Sequence, residues 1–154
     1  MENELINVLY VDDEINNLIA FKATFRKEFN VHTALSAEEG RKILDENRIH
    51  VMLTDQRMPG TTGVEFLEAV LPYHPDTMRI LLTGFADIQA VIDAVNRGQI
   101  YKYISKPWGE EELRSAILSA YEVYRIREVN KNLNEQLMTT IEKLEFLLRQ
   151  KEIS

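Results

Sequence analysis

The sequence contains no cysteine, so it has no disulfide framework and no thiolate to bind a metal or act as a nucleophile. This absence is compatible with a reducing compartment, and we expect a cytoplasmic protein. The first residues carry acids instead of the basic and apolar stretches of a signal peptide. No apolar run approaches the ~20 residues that a membrane-spanning helix needs, so we expect no membrane contact.

Basic residues are outnumbered: the chain has 18 Lys and Arg against 25 Asp and Glu, a formal net charge of -7. The excess of acidic residues lies in residues 1–124, which have 20 acidic and 12 basic residues. Residues 125–154 have 5 acidic and 6 basic residues. An acidic domain repels nucleic acid through its long-range field. We therefore expect no direct nucleic-acid binding.

Short apolar runs alternate with segments of helical periodicity in the first 124 residues. The 154 residues, 45% of them hydrophobic, are enough for one domain with a core and an additional segment. Runs of strand length lie at residues 6–11, 30–34, 50–54, 78–82 and 100–104. Five strands alternating with five helices predict an α/β fold, a doubly wound and mostly parallel sheet with both faces covered.

Some helix ends carry recognisable signals. Ser36 with Glu39 forms the pattern of a capping box, which predicts the start of the second helix. Asp87 is placed to cap the fourth helix, and Gly98 can end that helix with a positive φ. These positions predict where the second helix begins and where the fourth helix begins and ends.

Polar side chains follow four of the predicted strands, at the point where each strand ends. They are Asp12 and Asp13, then Asp55, then Thr83 and Gly84, and finally Lys106 and Pro107 after Ser105. The carboxyl ends of parallel strands meet at one sheet edge, where such sheets bind their ligands. We therefore expect three carboxylates, a hydroxyl and an ammonium group to lie close together.

Three carboxylates with no nearby His or Cys favour a hard cation, Mg²⁺ or Mn²⁺, and phosphoryl chemistry. Asp55 ends the central strand by itself, so it is placed as a nucleophile, while Asp12 and Asp13 would hold the metal. Lys106 can neutralise phosphoryl oxygens, and Thr83 can donate to one. No Gly-rich phosphate loop is present, so a nucleotide site is not supported.

Each of these residues also has a structural explanation. Asp12 or Asp13 could cap the first helix, Asp55 could form the turn before Pro59, and Lys106 could be a surface lysine. Their joint occurrence at four strand ends, in order, favours one shared site.

The motifs resemble the receiver domain of two-component response regulators. The resemblance covers about residues 5–124 and rests on four segments at matching spacing: residues 11–14, 54–60 with Gly63, 82–84 and 103–107. It implies a flavodoxin-like sheet with strand order 2-1-3-4-5. It also implies that a histidine kinase or phosphotransfer protein phosphorylates Asp55.

The resemblance assigns further roles. Mg²⁺ would bind Asp13, Asp55 and the backbone carbonyl of Arg57, with Asp12 acting directly or through water. Lys106 would pair with the phosphoryl group, next to a cis peptide bond at Pro107. Thr83 and Tyr103 would form the conformational switch, with Gly84 in the same loop. Arg57 and Phe85 occupy positions that vary among receivers, and we expect them to screen the phosphoryl group and slow dephosphorylation.

The chain after Gly109 contains neither glycine nor proline. We expect a helical linker or coiled-coil segment over residues 125–154, following a receiver domain over residues 1–124. A heptad pattern runs along it through Val123, Ile126, Asn130, Leu133, Leu137, Thr140, Leu144 and Leu147. It predicts a parallel homodimer, with Asn130 favouring two strands. Alternatively the segment folds back on the domain or frays as a linker.

The sequence is also compatible with two other functions. A degenerate receiver could serve only as a dimerisation scaffold, although the complete acid, threonine and lysine set argues against it. A Mg²⁺-dependent phosphohydrolase would need a general acid or base, and His32, His50 and His74 are expected far from the strand ends. We expect that the protein is not an enzyme and catalyses only its own phosphotransfer and dephosphorylation. We also expect an output domain or effector outside this sequence.

Overall fold

The computed structural model describes residues 5–97 and 99–153, apart from the side chains of Phe85 and Ile153. The strands are β1 (Asn7–Val11), β2 (Asn30–Ala34), β3 (Val51–Asp55), β4 (Met78–Thr83) and β5 (Lys102–Ser105). The helices are α1 (Ile15–Phe25), α2 (Ala37–Glu46), α3 (Gly63–Val70), α4 (Ile88–Asn96) and α5 (Glu110–Ile153). A 3₁₀ turn at Phe85–Asp87 comes directly before α4.

The five strands form one parallel sheet in the order β2-β1-β3-β4-β5, which confirms the predicted fold. The register pairs Val11 with Thr54, and Asp55 with Leu82. It also pairs Thr83 with Ser105. The carboxyl ends of four strands are therefore aligned at one edge, as the positions of the polar residues require.

The centre of the sheet is buried on both faces. All five residues of β3 and all six of β4 are buried, because helices cover both sides of a parallel sheet. Helix α1 packs Leu18, Phe21 and Phe25 into the core, whereas Ile15, at its first position, is 52% exposed. Asp55 is thus a buried carboxylate at the end of an apolar strand.

The last strand begins later than the apolar run suggests. Regular pairing starts at Lys102, although Ile100 is buried and the Tyr101 N–H donates to the Arg79 carbonyl at 2.8 Å. The apolar run therefore includes the approach to the strand, which is buried and hydrogen-bonded without belonging to the regular ladder.

The helix starts follow the predicted signals only in part. Ser36 caps α2 by accepting from the Glu39 N–H, while the Glu39 carboxylate accepts from the Leu35 N–H. A complete capping box starts α3 at Thr62 and Glu65. Asp87 occupies the predicted capping position directly before α4, but the predicted capping contact is absent: within the described chain its side chain makes no capping hydrogen bond and binds Arg57 instead. The predicted end at Gly98 lies outside the described residues.

By its packing the described chain divides into two units, and the division falls inside α5, between Tyr121 and Glu122. In the second unit α5 continues to Ile153, and most of its apolar side chains are exposed. None of the described helices is both long and apolar enough to cross a membrane.

Candidate functional site

Asp12, Asp13 and Asp55 lie together at the carboxyl edge of the sheet. Each offers a carboxylate oxygen, and the three oxygens lie within 4.8 Å of one another. Asp12 and Asp55 are buried and Asp13 is exposed. The arrangement follows from the pairing of β1 with β3, which places the ends of these neighbouring strands side by side.

The Asp12 carboxylate is held by three donors of the protein. Its Oδ2 atom accepts from the Tyr10 hydroxyl at 2.6 Å and from Asn17 Nδ2 at 3.0 Å, and its Oδ1 atom accepts from the Glu14 N–H at 3.0 Å. Burial, reinforced by Asp12, raises the pKa of the Tyr10 hydroxyl, which therefore stays protonated as a donor. Since both Asp12 oxygens already have donors, Asp12 suits a role through water better than direct binding of a cation.

The ammonium group of Lys106 contacts the Asp55 carboxylate. The pKa of Asp55 is raised above its ordinary value, chiefly by burial; Lys106 lowers it, and the charges of Asp12 and Asp13 raise it further. The site therefore concentrates more negative charge than its own lysine neutralises. A divalent cation would offset that excess, and the oxygen-only donors suit Mg²⁺.

The backbone around Asp55 is held tightly. A methyl group added at Gly63 would lie 2.5 Å from the Asp55 carbonyl oxygen, so only glycine allows α3 to start this close to β3. The Gln56 N–H donates to the Leu82 carbonyl at 3.0 Å, and the Gln56 side chain accepts from the Val64 N–H at 2.9 Å. These contacts fix the strand end that carries Asp55.

The residues expected to form the switch lie along β4, β5 and the loops that follow them. The buried Thr83 hydroxyl donates to the Gly84 carbonyl at 3.2 Å, and Tyr103 is half-buried against the core. The Lys106-Pro107 peptide bond is cis, as the resemblance implies. Trp108 packs against Phe21 and Phe25, with ring centroids 6.3 and 6.4 Å away.

A cleft of about 310 Å³ opens over Asp55. Arg57 and Asp87 lie across it as an ion pair, with Arg57 Nε 2.9 Å from Asp87 Oδ2. The other lining residues come from the loops at the same edge: Asp55, Gln56, Gly84, Ala86 and Lys106. The Phe85 side chain, which we expected to screen the site, lies outside the described part of the structure.

The histidines lie elsewhere. His50 precedes β3, where its ring accepts from the Asn7 N–H, and His74 binds Asp45. His32 lies on β2, opposite Leu9. No histidine is therefore placed at the carboxylate edge of the described chain, as expected from the sequence.

Sequence reasoning missed three residues that shape the site: Tyr10, Asn17 and Gln56. Tyr10 could have been found, because residues two apart on a strand share a face. Asn17 and Gln56 had no such signal, since their partners depend on how the loops close.

Comparisons with known proteins agree with this geometry. The sequence model of the response regulator receiver domain matches residues 8–118. The chain belongs to this family. It is 39% identical over 140 residues to the hydrogenase transcriptional regulatory protein HoxA of Cupriavidus necator, covering 91% of this chain and 29% of that protein. It is 31% identical over 143 residues to a putative NtrX-like response regulator of Rickettsia bellii, and the match covers 90% of this chain and 29% of that protein.

A solved receiver domain of Clostridium thermocellum superposes on the chain with a TM-score of 0.75. The two sequences are 32% identical, and the match covers 79% of this chain and 98% of the solved one. The chain therefore spans less than a third of the curated relatives named above and nearly all of this separate receiver. As a receiver domain it belongs to two-component signalling.

Proposed function

We propose that Asp55 accepts a phosphoryl group from the phosphohistidine of a histidine kinase or phosphotransfer protein. An Asp55 carboxylate oxygen would attack phosphorus in line, so that an O–P bond forms as the N–P bond breaks and the histidine nitrogen departs with the electron pair. The observation that carries this proposal is the position of Asp55 between two acidic side chains and the Lys106 ammonium.

Each side chain at the site has a task in this transfer. Lys106 would hold phosphoryl oxygens and orient them, while Thr83 would leave the Gly84 carbonyl to donate to the phosphoryl group. Tyr103 would then move inward, so that the packing of β4 and β5 reports the state of Asp55. Bound Mg²⁺ would neutralise charge on the phosphoryl oxygens, held by Asp13, Asp55 and the Arg57 carbonyl, with Asp12 acting through water.

Phosphorylation can be tested with acetyl phosphate and Mg²⁺, using intact mass as the measurement. The wild-type chain should gain one phosphoryl group and the Asp55→Asn variant none. Failure of the wild type to gain mass, together with failure to bind beryllofluoride, would favour the degenerate scaffold instead. Steady turnover of a generic phosphate ester would favour a phosphohydrolase.

The partner proposed for the C-terminal segment is a second copy of this chain. From Ile126 onward the apolar heptad residues of α5 are exposed on their own unit, including Leu133, Leu137 and Leu147. A parallel coiled coil would bury this seam, and Asn130 pairing with its counterpart would favour the two-stranded register. We expect the state of Asp55 to be relayed to an output domain or effector, in the cytoplasm.

A further inference from the structure

The ion pair between Arg57 and Asp87 connects two loops at the mouth of the site. Arg57 follows β3 two residues after Asp55, and Asp87 lies four residues after Thr83, directly before α4. Both line the cleft that contains the Asp55 carboxylate and the Lys106 ammonium. The Arg57 side chain is 72% exposed, and an exposed ion pair of this kind is weak. A stronger anion in the cleft can therefore draw Arg57 away.

Asp87 occupies the capping position of α4 without capping it. Its side chain makes no hydrogen bond to the described N–H groups of the helix, and its backbone ψ is 8°. The capping residues Ser36 and Thr62 of the same chain have ψ of 164° and 163°, and each accepts from the N–H three residues later. Aspartate is among the best capping residues, so Arg57 diverts Asp87 from the contact that its position favours.

We propose that Arg57 is a second phosphoryl-binding cation, and that its transfer from Asp87 to the phosphoryl group releases Asp87 to cap α4. The proposal rests on Asp55 being the phosphoryl acceptor. A phosphoryl group carries close to two negative charges and presents several acceptor oxygens, whereas Asp87 carries one charge. The planar guanidinium group binds such an oxyanion through two parallel hydrogen bonds. Arg57 therefore binds the phosphoryl group more strongly than it binds Asp87.

The exchange connects phosphorylation to the backbone of α4. Asp87 must leave its present backbone conformation for the extended one in order to accept from the N–H of Gln89 or Ala90. The 3₁₀ turn at Phe85–Asp87 then rearranges, and the first turn of α4 becomes hydrogen-bonded at its start. A phosphoryl group at Asp55 thereby changes the hydrogen bonding at the start of α4, which it does not contact.

The first experiment measures beryllofluoride binding to the full chain in the presence of Mg²⁺. Arg57→Ala should raise the half-saturating beryllofluoride concentration about tenfold, because a charge-assisted hydrogen bond is lost. Asp87→Ala and Asp87→Asn should both lower that concentration a few-fold, since each frees Arg57. In an Arg57→Ala background, Asp87→Ala should have no further effect on the concentration.

The second experiment follows amide hydrogen exchange of Gln89 and Ala90 by NMR. Beryllofluoride should increase protection of these amides in the wild type. Asp87→Asn should show the protected state already without beryllofluoride, since asparagine caps as well as aspartate and does not form the ion pair with Arg57. Asp87→Ala should show no increase, because alanine cannot cap. Arg57→Ala should show the protected state without beryllofluoride, since Asp87 is already free.

The outcomes separate this proposal from the proposed function. If the wild type binds beryllofluoride but Arg57→Ala leaves the half-saturating concentration unchanged, Arg57 does not bind the phosphoryl group. If Asp87→Ala gains the same amide protection as the wild type, Asp87 does not cap. Either result overturns the exchange alone, whereas a wild type that binds no beryllofluoride and takes up no phosphoryl group overturns the proposed function and the exchange with it.

Discussion

The Tyr10 hydroxyl donates a hydrogen bond of 2.6 Å to Oδ2 of Asp12, and both residues are fully buried at the end of β1. Tyr10 also packs against Phe21, with ring centroids 4.7 Å apart. The core thus holds the ring in place, and the ring holds the carboxylate. A core residue thereby sets the orientation of an acid in the three-carboxylate cluster.

Tyr10→Phe should lower both stability and metal affinity, because it removes one donor from a buried carboxylate. We expect a loss of about 1–3 kcal/mol in the free energy of unfolding. We also expect Mg²⁺ binding to weaken about tenfold, the lower end of the effect of removing a residue that orients a ligand. Urea denaturation and Mg²⁺ titration of Trp108 fluorescence, the single tryptophan of the chain, measure the two effects.

The matched control for this substitution is Tyr73→Phe, at an exposed tyrosine. It should change neither quantity. Unchanged Mg²⁺ affinity in Tyr10→Phe would show that the hydroxyl does not orient Asp12 for the metal.

Asp55→Asn should stabilise the metal-free protein near neutral pH. The folded-state pKa of Asp55 is raised above its ordinary 3.8, chiefly by burial, so the folded state holds the Asp55 proton more readily than the unfolded state. The destabilisation by the Asp55 charge is fully present above the folded-state pKa and disappears as the pH falls towards 3.8. Denaturation of both proteins in EDTA at several pH values measures the difference.

In Mg²⁺ the wild type should become more stable than Asp55→Asn. A ligand that binds only the folded state stabilises it, so Mg²⁺ should raise the free energy of unfolding of the wild type more than that of Asp55→Asn. Asp93→Asn, an exposed acid on α4, serves as control and should follow the wild type. A wild type more stable than Asp55→Asn in EDTA at neutral pH would contradict the raised pKa.

Gly63→Ala should destabilise the domain by about 1–3 kcal/mol, the usual cost of overpacking. The added methyl group would lie 2.5 Å from the Asp55 carbonyl oxygen and 2.6 Å from Leu81 Cδ1. It should also slow phosphorylation by acetyl phosphate, because the strand end carrying Asp55 must shift. Gly109→Ala is the control, since a methyl group there meets no described atom within 4 Å. Equal stability of the two variants would contradict this prediction.

Phosphorylated Asp55 should hydrolyse slowly, with a half-life of minutes or longer, because Arg57 lines the cleft over Asp55 and would screen the phosphoryl group from water. Arg57→Ala should shorten the half-life, and the exposed Arg26→Ala should not. Loss of the phosphoryl mass with time gives the rate. A half-life of seconds in the wild type would contradict the prediction.

Leu137→Glu should weaken dimerisation at least tenfold, because it places a charge in the predicted coiled-coil seam. Met138→Glu is a matched control: the two side chains are adjacent and each is 57% exposed in the described chain, but Met138 lies outside the seam. Sedimentation equilibrium gives the association constant. Equal effects of the two substitutions, or a monomeric wild type, would count against the coiled coil.

The sequence alone was enough to predict the order of the strands and helices along the chain and the residues at the strand ends. Those predictions depend on periodicity and on the ends of apolar runs, which are local properties. The position of Asp55 after a buried run, for example, needed no tertiary information. The long final helix was likewise predictable from the absence of glycine and proline after Gly109.

Only the tertiary structure decided which partner each polar side chain takes. Asp87 had the sequence position of a helix cap, yet it binds Arg57, which lies 30 residues earlier in the chain. Asp12 had three candidate roles, and its contacts with Tyr10 and Asn17 favour one of them. A polar group binds the strongest partner within reach, and that reach is set by how the loops after β1, β3 and β4 converge in space.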